Sequence, residues 1–310
     1  MDTTKRQEMY WGSVRFYKHV ILGAVFLMIL LPSVCAVALG IKYHKRNIQV
    51  KNYQDMIAMQ PIRQIINDIN FTPLPSETVS FEYQELYPDL YVEKPEYVAV
   101  ESDKPVVYLT FDDGPSSNTE VLLDLLKENG VKATFFVVYK EGDYAKNIYK
   151  RIVDEGHTLG VHSATHQYTE IYASVENYLQ DFEKLATYLY EVTGAKPTIF
   201  RFPGGSINVY NKEIYMQLIS EMLRRGYNYY DWNIASGDAA SKGLTAAQIE
   251  HNIRSGIKVQ RQSNIVLLHD SVSKGTTIEA MRRMLPTLKE ECMLLPLSAT
   301  VKPIAFSYLQ

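Results

Sequence analysis

Two adjacent aspartates, Asp112 and Asp113, stand in YLTFDDGPSS, where an apolar run gives way to a Gly-Pro turn. Further along, His162 and His166 are four apart in HSATH, and Arg201 precedes Pro203, Gly204 and Gly205 in RFPGGS. Asp231 and Trp232 open DWNIASGDA, which holds Asp238 near its end, and His269 and Asp270 close LLHD. Each has an ordinary reading when taken singly. A carboxylate pair before Gly-Pro caps helices or closes turns, and a lone Arg, His or Trp at a strand end is usually paired or packed. Together they are costly to explain as core, because such groups must be paired or wet.

The chemistry this set permits is narrow. Two histidines and one carboxylate form a common catalytic zinc set that leaves a position open for water, and two imidazoles four apart on one helical turn can face one metal. The metal makes the water acidic and polarises a carbonyl. A second carboxylate can take the water's proton, a separate histidine can protonate a leaving group, and an arginine can hold the base ionised and oriented. The reaction class is metal-assisted hydrolysis of an amide or ester.

Something must bring these residues together. From Pro105 onward apolar runs alternate with amphipathic ones. VVYLTF, ATFFVV, TLGVHS, PTIFRF, YNYYDW and NIVLLHD read as strands. TEVLLDLLKENG, YAKNIYKRIVDEG, SVENYLQDFEKLATYLYEVTG, NKEIYMQLISEMLRRG, TAAQIEHNIRSGIKV and TTIEAMRRMLPTLKEE read as helices between and after them. This alternation predicts an α/β fold with a parallel sheet, a distorted (β/α) barrel of about seven parallel strands. The chemistry-bearing residues fall at or just after the strand ends, so the loops there form the active face.

The remainder bounds the setting. The 310 residues carry a formal net charge of -3, which gives no reason to expect nucleic acid as a partner. Of the two cysteines, Cys35 lies in an apolar run far from Cys292, so a structural disulfide is not expected. Val20 to Ile41 carries no charged side chain and is long enough to span a bilayer as a helix of about 20 residues. The alternative is a cleaved signal peptide with AVA at Ala36 to Ala38 as its small-residue site. We read it as an uncleaved anchor, because the polar lead is long and the apolar run exceeds a usual signal core. Lys and Arg balance across the span, so orientation must come from the substrate. The expected organisation is a cytoplasmic segment 1–19, a transmembrane anchor 20–41, a stalk or linker 42–104 and a catalytic domain 105–310. Ile62, Ile65, Ile66 and Ile69 suggest a stalk helix, and YVAVE a strand within the linker.

In order, TFDDGPS, HSATH, RFPGGS, DWNIASGDA and LLHD resemble the five motifs of the polysaccharide deacetylases of carbohydrate esterase family four, the chitooligosaccharide-deacetylase homology domain. The resemblance covers about Lys104 to Leu297. It implies that Asp112 is the catalytic base, that Asp113, His162 and His166 bind a divalent metal, zinc first with cobalt or another divalent ion as alternatives, and that Arg201 orients the base. It implies an oxyanion donor in the N–H of Gly204 after Pro203. His269 becomes the general acid, held protonated by Asp231, with Asp238 as the weaker candidate for that role. Trp232 and Leu267 would line the pocket for the acetyl methyl. One departure is that the family often has an aromatic residue where Gly204 stands, which leaves the groove wall undefined.

The expected activity is removal of N-acetyl groups from amino sugars of a cell-wall polysaccharide, with peptidoglycan N-acetylglucosamine first. The partners would then be that polymer and, through the N-terminal helix, the lipid bilayer. This implies a single-pass protein of the cell membrane with its catalytic domain outside. The rivals are the same hydrolysis on exopolysaccharide, chitin or xylan, a silent glycan-binding module, and a phosphoryl-transfer enzyme built on FDDG. Paired-aspartate phosphatases need a carboxylate two positions from the nucleophile, and the histidine pair would then be idle.

Overall fold

The computed structural model describes residues 16–21 and 81–306, apart from 241, 242, 260 and 262. Residues 16–21 are helical, and the rest of the expected anchor and the stalk up to residue 80 lie outside the described residues. Among the described residues no helix is long and apolar enough to cross a membrane.

Residues 106–294 form a distorted (β/α) barrel. Its strands are β1 (Val106–Asp112), β2 (Thr134–Val138), β3 (Thr158–Ser163), β4 (Ile199–Phe200), β5 (Asn228–Tyr229), β6 (Ile234–Ala235) and β7 (Asn264–His269). They run parallel in the order β5-β4-β3-β2-β1-β7-β6, and the short β8 (Met293–Leu294) pairs with the start of β1. The helices are α1 (Ser117–Asn129), α2 (Asp143–Asp154), α3 (Tyr168–Ile171), α4 (Val175–Thr193), α5 (Tyr215–Arg224), α6 (Ala246–Gly256) and α7 (Gly275–Glu291).

Local chemistry accounts for these boundaries. The β-branched and aromatic residues of VVYLTFD favour a strand, and all seven are buried. Side chains alternate across it: Val107, Leu109 and Phe111 join the main core cluster, whereas Val106 and Tyr108 pack with Phe136, Ile199, Tyr230 and Ile265. Asp112 continues the second file, so it points the same way as Tyr108. The side-chain oxygens of Ser116, Ser174 and Thr245 accept from the N–H groups of Asn118, Asn177 and Gln248 and start α1, α4 and α6.

Residues 81–104 lie against the barrel. The buried Arg225 of the turn after α5 donates to the carbonyls of Leu86 at 2.7 Å, Tyr87 at 2.9 Å, Tyr83 at 3.3 Å and Leu90 at 3.4 Å. Its Nε bonds the buried Glu221 at 2.7 Å. YVAVE forms no strand here: Val98 makes one backbone bond, to the Thr300 carbonyl. Gly226 lets Val92 dock beside it, because a Cβ there would sit 2.0 Å from the Val92 oxygen. Arg225→Met would leave Glu221 with only Arg224 and strip four carbonyls of a donor. Losing one partner of a buried pair costs about 3 kcal/mol or more, which a lowered denaturant midpoint would report.

Candidate active site

The site forms where β1, β3, β4 and β7 end. Parallel pairing sets Asp112 beside His269 in register across β1 and β7, so two of the expected reacting groups start as neighbours. Arg201 follows β4 and is fully buried. Its Nη1 donates to Asp112 Oδ1 at 2.9 Å and to Thr110 Oγ1 at 2.7 Å, and its Nε donates to the Tyr230 carbonyl at 2.7 Å. The guanidinium also lies 4.4 Å over the Phe136 ring, a favourable place for a buried cation. Arg201 thereby fixes one oxygen of Asp112 and leaves Oδ2, 4.0 Å from His162 Nε2.

One residue on, Asp113 adopts φ +77°. That left-handed backbone swings its carboxylate away from the Asp112 file, which is why two adjacent aspartates can serve different ends. Its Oδ1 lies 3.6 Å from His162 Nε2 and 3.3 Å from His166 Nε2. His162 occupies β3, and its Nδ1 donates to the Arg201 carbonyl at 2.8 Å. This fixes the tautomer and leaves the Nε2 lone pair free to bind a metal. His166 is not on a helical turn with His162, as the four-residue spacing suggested. It lies beyond the strand end at φ +56°. Asp181 of α4 shapes that turn by accepting from Ser163 Oγ, the Ala164 and Thr165 N–H groups and Thr165 Oγ1, all at 2.7–2.8 Å. Ser163 Oγ in turn accepts from the His166 N–H.

Asp113, His162 and His166 fit a divalent cation. Their ligand atoms all lie within 4.8 Å of one another. Asp113 Oδ1 is buried without a hydrogen-bond partner, although both imidazole nitrogens face it. One carboxylate and two neutral imidazoles are the donor types zinc favours. Burial, and then His162 beside it, lower the pKa of His166, which favours the neutral ligand form. Two left-handed non-glycine residues among three candidate ligands mark backbone strain stored at a site.

On the opposite side, His269 Nδ1 donates to Asp238 Oδ1 at 2.7 Å. Asp238 Oδ2 accepts from the His269 N–H at 2.8 Å and from Thr277 Oγ1 at 2.9 Å. Asp231, the expected partner of His269, is engaged elsewhere. Its carboxylate accepts from the Ser206 N–H at 2.8 Å, the Ser206 hydroxyl, and the Phe306 N–H at 2.7 Å. The assignment is therefore corrected: Asp238 holds His269, and Asp231 ties the 206 loop to the 306 segment. The physical reason is β6, which pairs Ile234 with Val266 and Ala235 with Leu267 and so brings the following residues alongside the end of β7.

Burial opposes protonation of His269, but the Asp238 hydrogen bond and the charges of Asp112, Asp238 and Asp113 outweigh it and raise the imidazole pKa above its ordinary value. A cation on Asp113 would cancel that residue's share but not the Asp238 contact. If His269 acts as an acid, activity falls as pH rises through this raised pKa. Asp238→Asn should therefore shift the alkaline limb of the kcat profile to lower pH, with kcat down about 10- to 100-fold at neutral pH. An unmoved limb would separate Asp238 from His269.

Asp112, Asp113, His162, His166, Tyr168, Gly204, Trp232, Ala239, Leu267, His269 and Lys274 line one cavity of about 420 Å³. Trp232 and Leu267 form part of its wall. The Gly204 N–H has no hydrogen-bond partner among the described residues, while the Pro203 carbonyl accepts from Tyr172 Oη at 2.7 Å, which steadies the loop. A second cavity, of about 500 Å³ between residues 87–90 and α4, holds none of the clustered groups. Sequence reasoning missed Tyr168, Lys274 and Asp181, and singled out Asp270 without giving it a role. Asp270 is fully buried, accepts from Thr119 Oγ1 at 2.6 Å and has its pKa pushed up to about 7 by burial and by the charges of Asp113 and Asp112.

A family model for polysaccharide deacetylases matches residues 99–222. The putative polysaccharide deacetylase YheN of Bacillus subtilis is 33% identical over 223 residues, spanning 70% of this chain and 75% of that protein. A peptidoglycan-N-acetylglucosamine deacetylase of Bacillus cereus is 27% identical over 269 residues, spanning 86% of this chain and 88% of that one. Among solved structures, the catalytic domain of peptidoglycan N-acetylglucosamine deacetylase from Eubacterium rectale superposes with a TM-score of 0.62 at 36% identity, over 68% of this chain and 96% of that one. This chain belongs to the polysaccharide deacetylase family and is a deacetylase.

Proposed function

We propose that the chain removes N-acetyl groups from N-acetylglucosamine residues of peptidoglycan, releasing acetate and leaving a free amine on the sugar. One observation carries this reading: the unpartnered Asp113 Oδ1 faces two imidazole nitrogens at 3.6 and 3.3 Å, beside an Arg-held Asp112 and a carboxylate-held His269. The choice of polymer draws support from relatives that carry peptidoglycan-N-acetylglucosamine deacetylase as their name.

Asp113, His162 and His166 would hold a divalent cation, Zn²⁺ first and Co²⁺ or another divalent ion as alternatives. When bound it supplies Lewis acidity, making a water molecule acidic and an amide carbonyl electrophilic. Asp112 Oδ2 takes the proton of the attacking water while Arg201 holds the other oxygen still. The Gly204 N–H donates to the carbonyl oxygen as negative charge gathers on it. His269, with Nδ1 committed to Asp238, presents Nε2 and delivers its proton to the sugar nitrogen as the C–N bond breaks. Trp232 and Leu267 enclose the acetyl methyl.

The apolar stretch Val20–Ile41 would anchor the protein, with residues 1–19 in the cytoplasm and the catalytic unit outside, against the wall polymer. The test is acetate release by the full chain from purified peptidoglycan, chitin, acetyl-xylan and an acetylated exopolysaccharide, with and without a chelator. Peptidoglycan should yield acetate and new glucosamine amines, both lost on chelation. Acetate from xylan alone would overturn the polymer assignment, and activity indifferent to chelation would overturn the metal.

A further inference from the structure

Tyr168 opens α3, two residues past His166. Its ring stands edge-on to the His166 imidazole, 5.3 Å between centroids, and 5.0 Å from the Tyr210 ring. Beneath it runs the Gly204 backbone at φ +76°, where a Cβ would meet Tyr168 Cε1 at 2.8 Å and its hydroxyl at 3.3 Å. The absence of a side chain at 204 is thus what admits the Tyr168 ring to the cavity. Across the same cavity stands Trp232, braced by Phe306 at 4.8 Å. No described residue hydrogen-bonds the Tyr168 hydroxyl. A phenol carries its proton at neutral pH, so this hydroxyl is available as a donor.

Resting on the function proposed above, we infer that Tyr168 positions the substrate: its ring is the platform for the sugar that carries the acetamide, and its hydroxyl donates to that sugar. A pyranose has a C–H face that lies well on an aromatic ring and a rim of oxygens that accept hydrogen bonds. Tyr168 offers both functions within reach of the Gly204 N–H and the candidate ligands. Trp232 walls the other side, and Tyr210, half exposed beyond Tyr168, extends the aromatic surface outward.

The test compares two probes on the metal-loaded full chain: the tetramer of N-acetylglucosamine, and p-nitrophenyl acetate, which carries no sugar. Tyr168→Ala should raise KM for the tetramer about tenfold or more and lower its kcat/KM relative to that for the ester by at least about tenfold. Tyr168→Phe should recover the ring's share and leave a deficit of about fivefold, the hydroxyl's share. Bound metal per chain, measured alongside, should stay at the wild-type value. Equal losses on both probes, or loss of metal, would show that the tyrosine only props up His166 and would overturn the inference; so would an unchanged tetramer KM. If the wild-type chain releases acetate from neither the tetramer nor peptidoglycan, the proposed function fails instead. Calorimetric binding of the tetramer then decides for Tyr168, which must weaken it on substitution.

Discussion

Asp112→Asn should keep its metal and lose its turnover. The asparagine fills the same space and can still accept from Arg201, but its amide cannot take a proton from water. Positioned general bases contribute about 10²- to 10⁴-fold, so a kcat fall of about a thousandfold is expected. A cost in stability comes with it, because Arg201 is fully buried and loses its only carboxylate partner among the described residues. Turnover must therefore be read well below the variant's unfolding temperature. The ligand set itself is untouched, since Asp113, His162 and His166 supply it. Metal analysis of the purified variant separates the two aspartates. If Asp112→Asn came out stripped of metal and Asp113→Asn kept it, the roles of the neighbours would be exchanged.

His166→Ala should lose metal and turnover together. Apparent zinc-binding free energies of about 10–16 kcal/mol shared among a few ligands put the loss of one at about 3 kcal/mol or more. That is a fall of at least about a hundredfold in metal affinity. His166 is two-thirds enclosed and stands beyond the strand end, not in the core, so the fold should survive and the unfolding midpoint without metal should stay near that of the wild type. Excess Zn²⁺ should restore part of the turnover by mass action. A variant with a full complement of metal and no activity would instead make His166 a substrate contact.

The strand ends were legible because pairing repeats them in one direction. TFDD, HS, RF and LLHD each close an apolar run, and a parallel barrel delivers all such ends to one rim, so Asp112, His162, Arg201 and His269 meet there. What escaped was set by contacts with no local signature. β6 is only two residues long, and its place comes from pairing with Val266 and Leu267. Nothing near DWNIASGDA told Asp231 from Asp238 as the partner of His269. The shape of HSATH depends on Asp181, eighteen residues from Ser163 and in the middle of a helix. An inward carboxylate there looks like any polar residue on a long helix until its four donors are seen. Residues 81–90 had the composition of a linker, yet Arg225 gathers their carbonyls from 135 or more positions away. Tyr168 was hidden for a related reason, since its importance comes from an empty space at Gly204.

Anomalous diffraction from crystals of the protein grown with Zn²⁺ tests the central claim most directly. The account predicts one strong peak about 2.0–2.2 Å from Asp113 Oδ1 and from Nε2 of both His162 and His166, with Asp112 nearby but bound to Arg201. A peak elsewhere in the chain, or zinc-dependent acetate release from crystals whose three groups hold nothing, would contradict it.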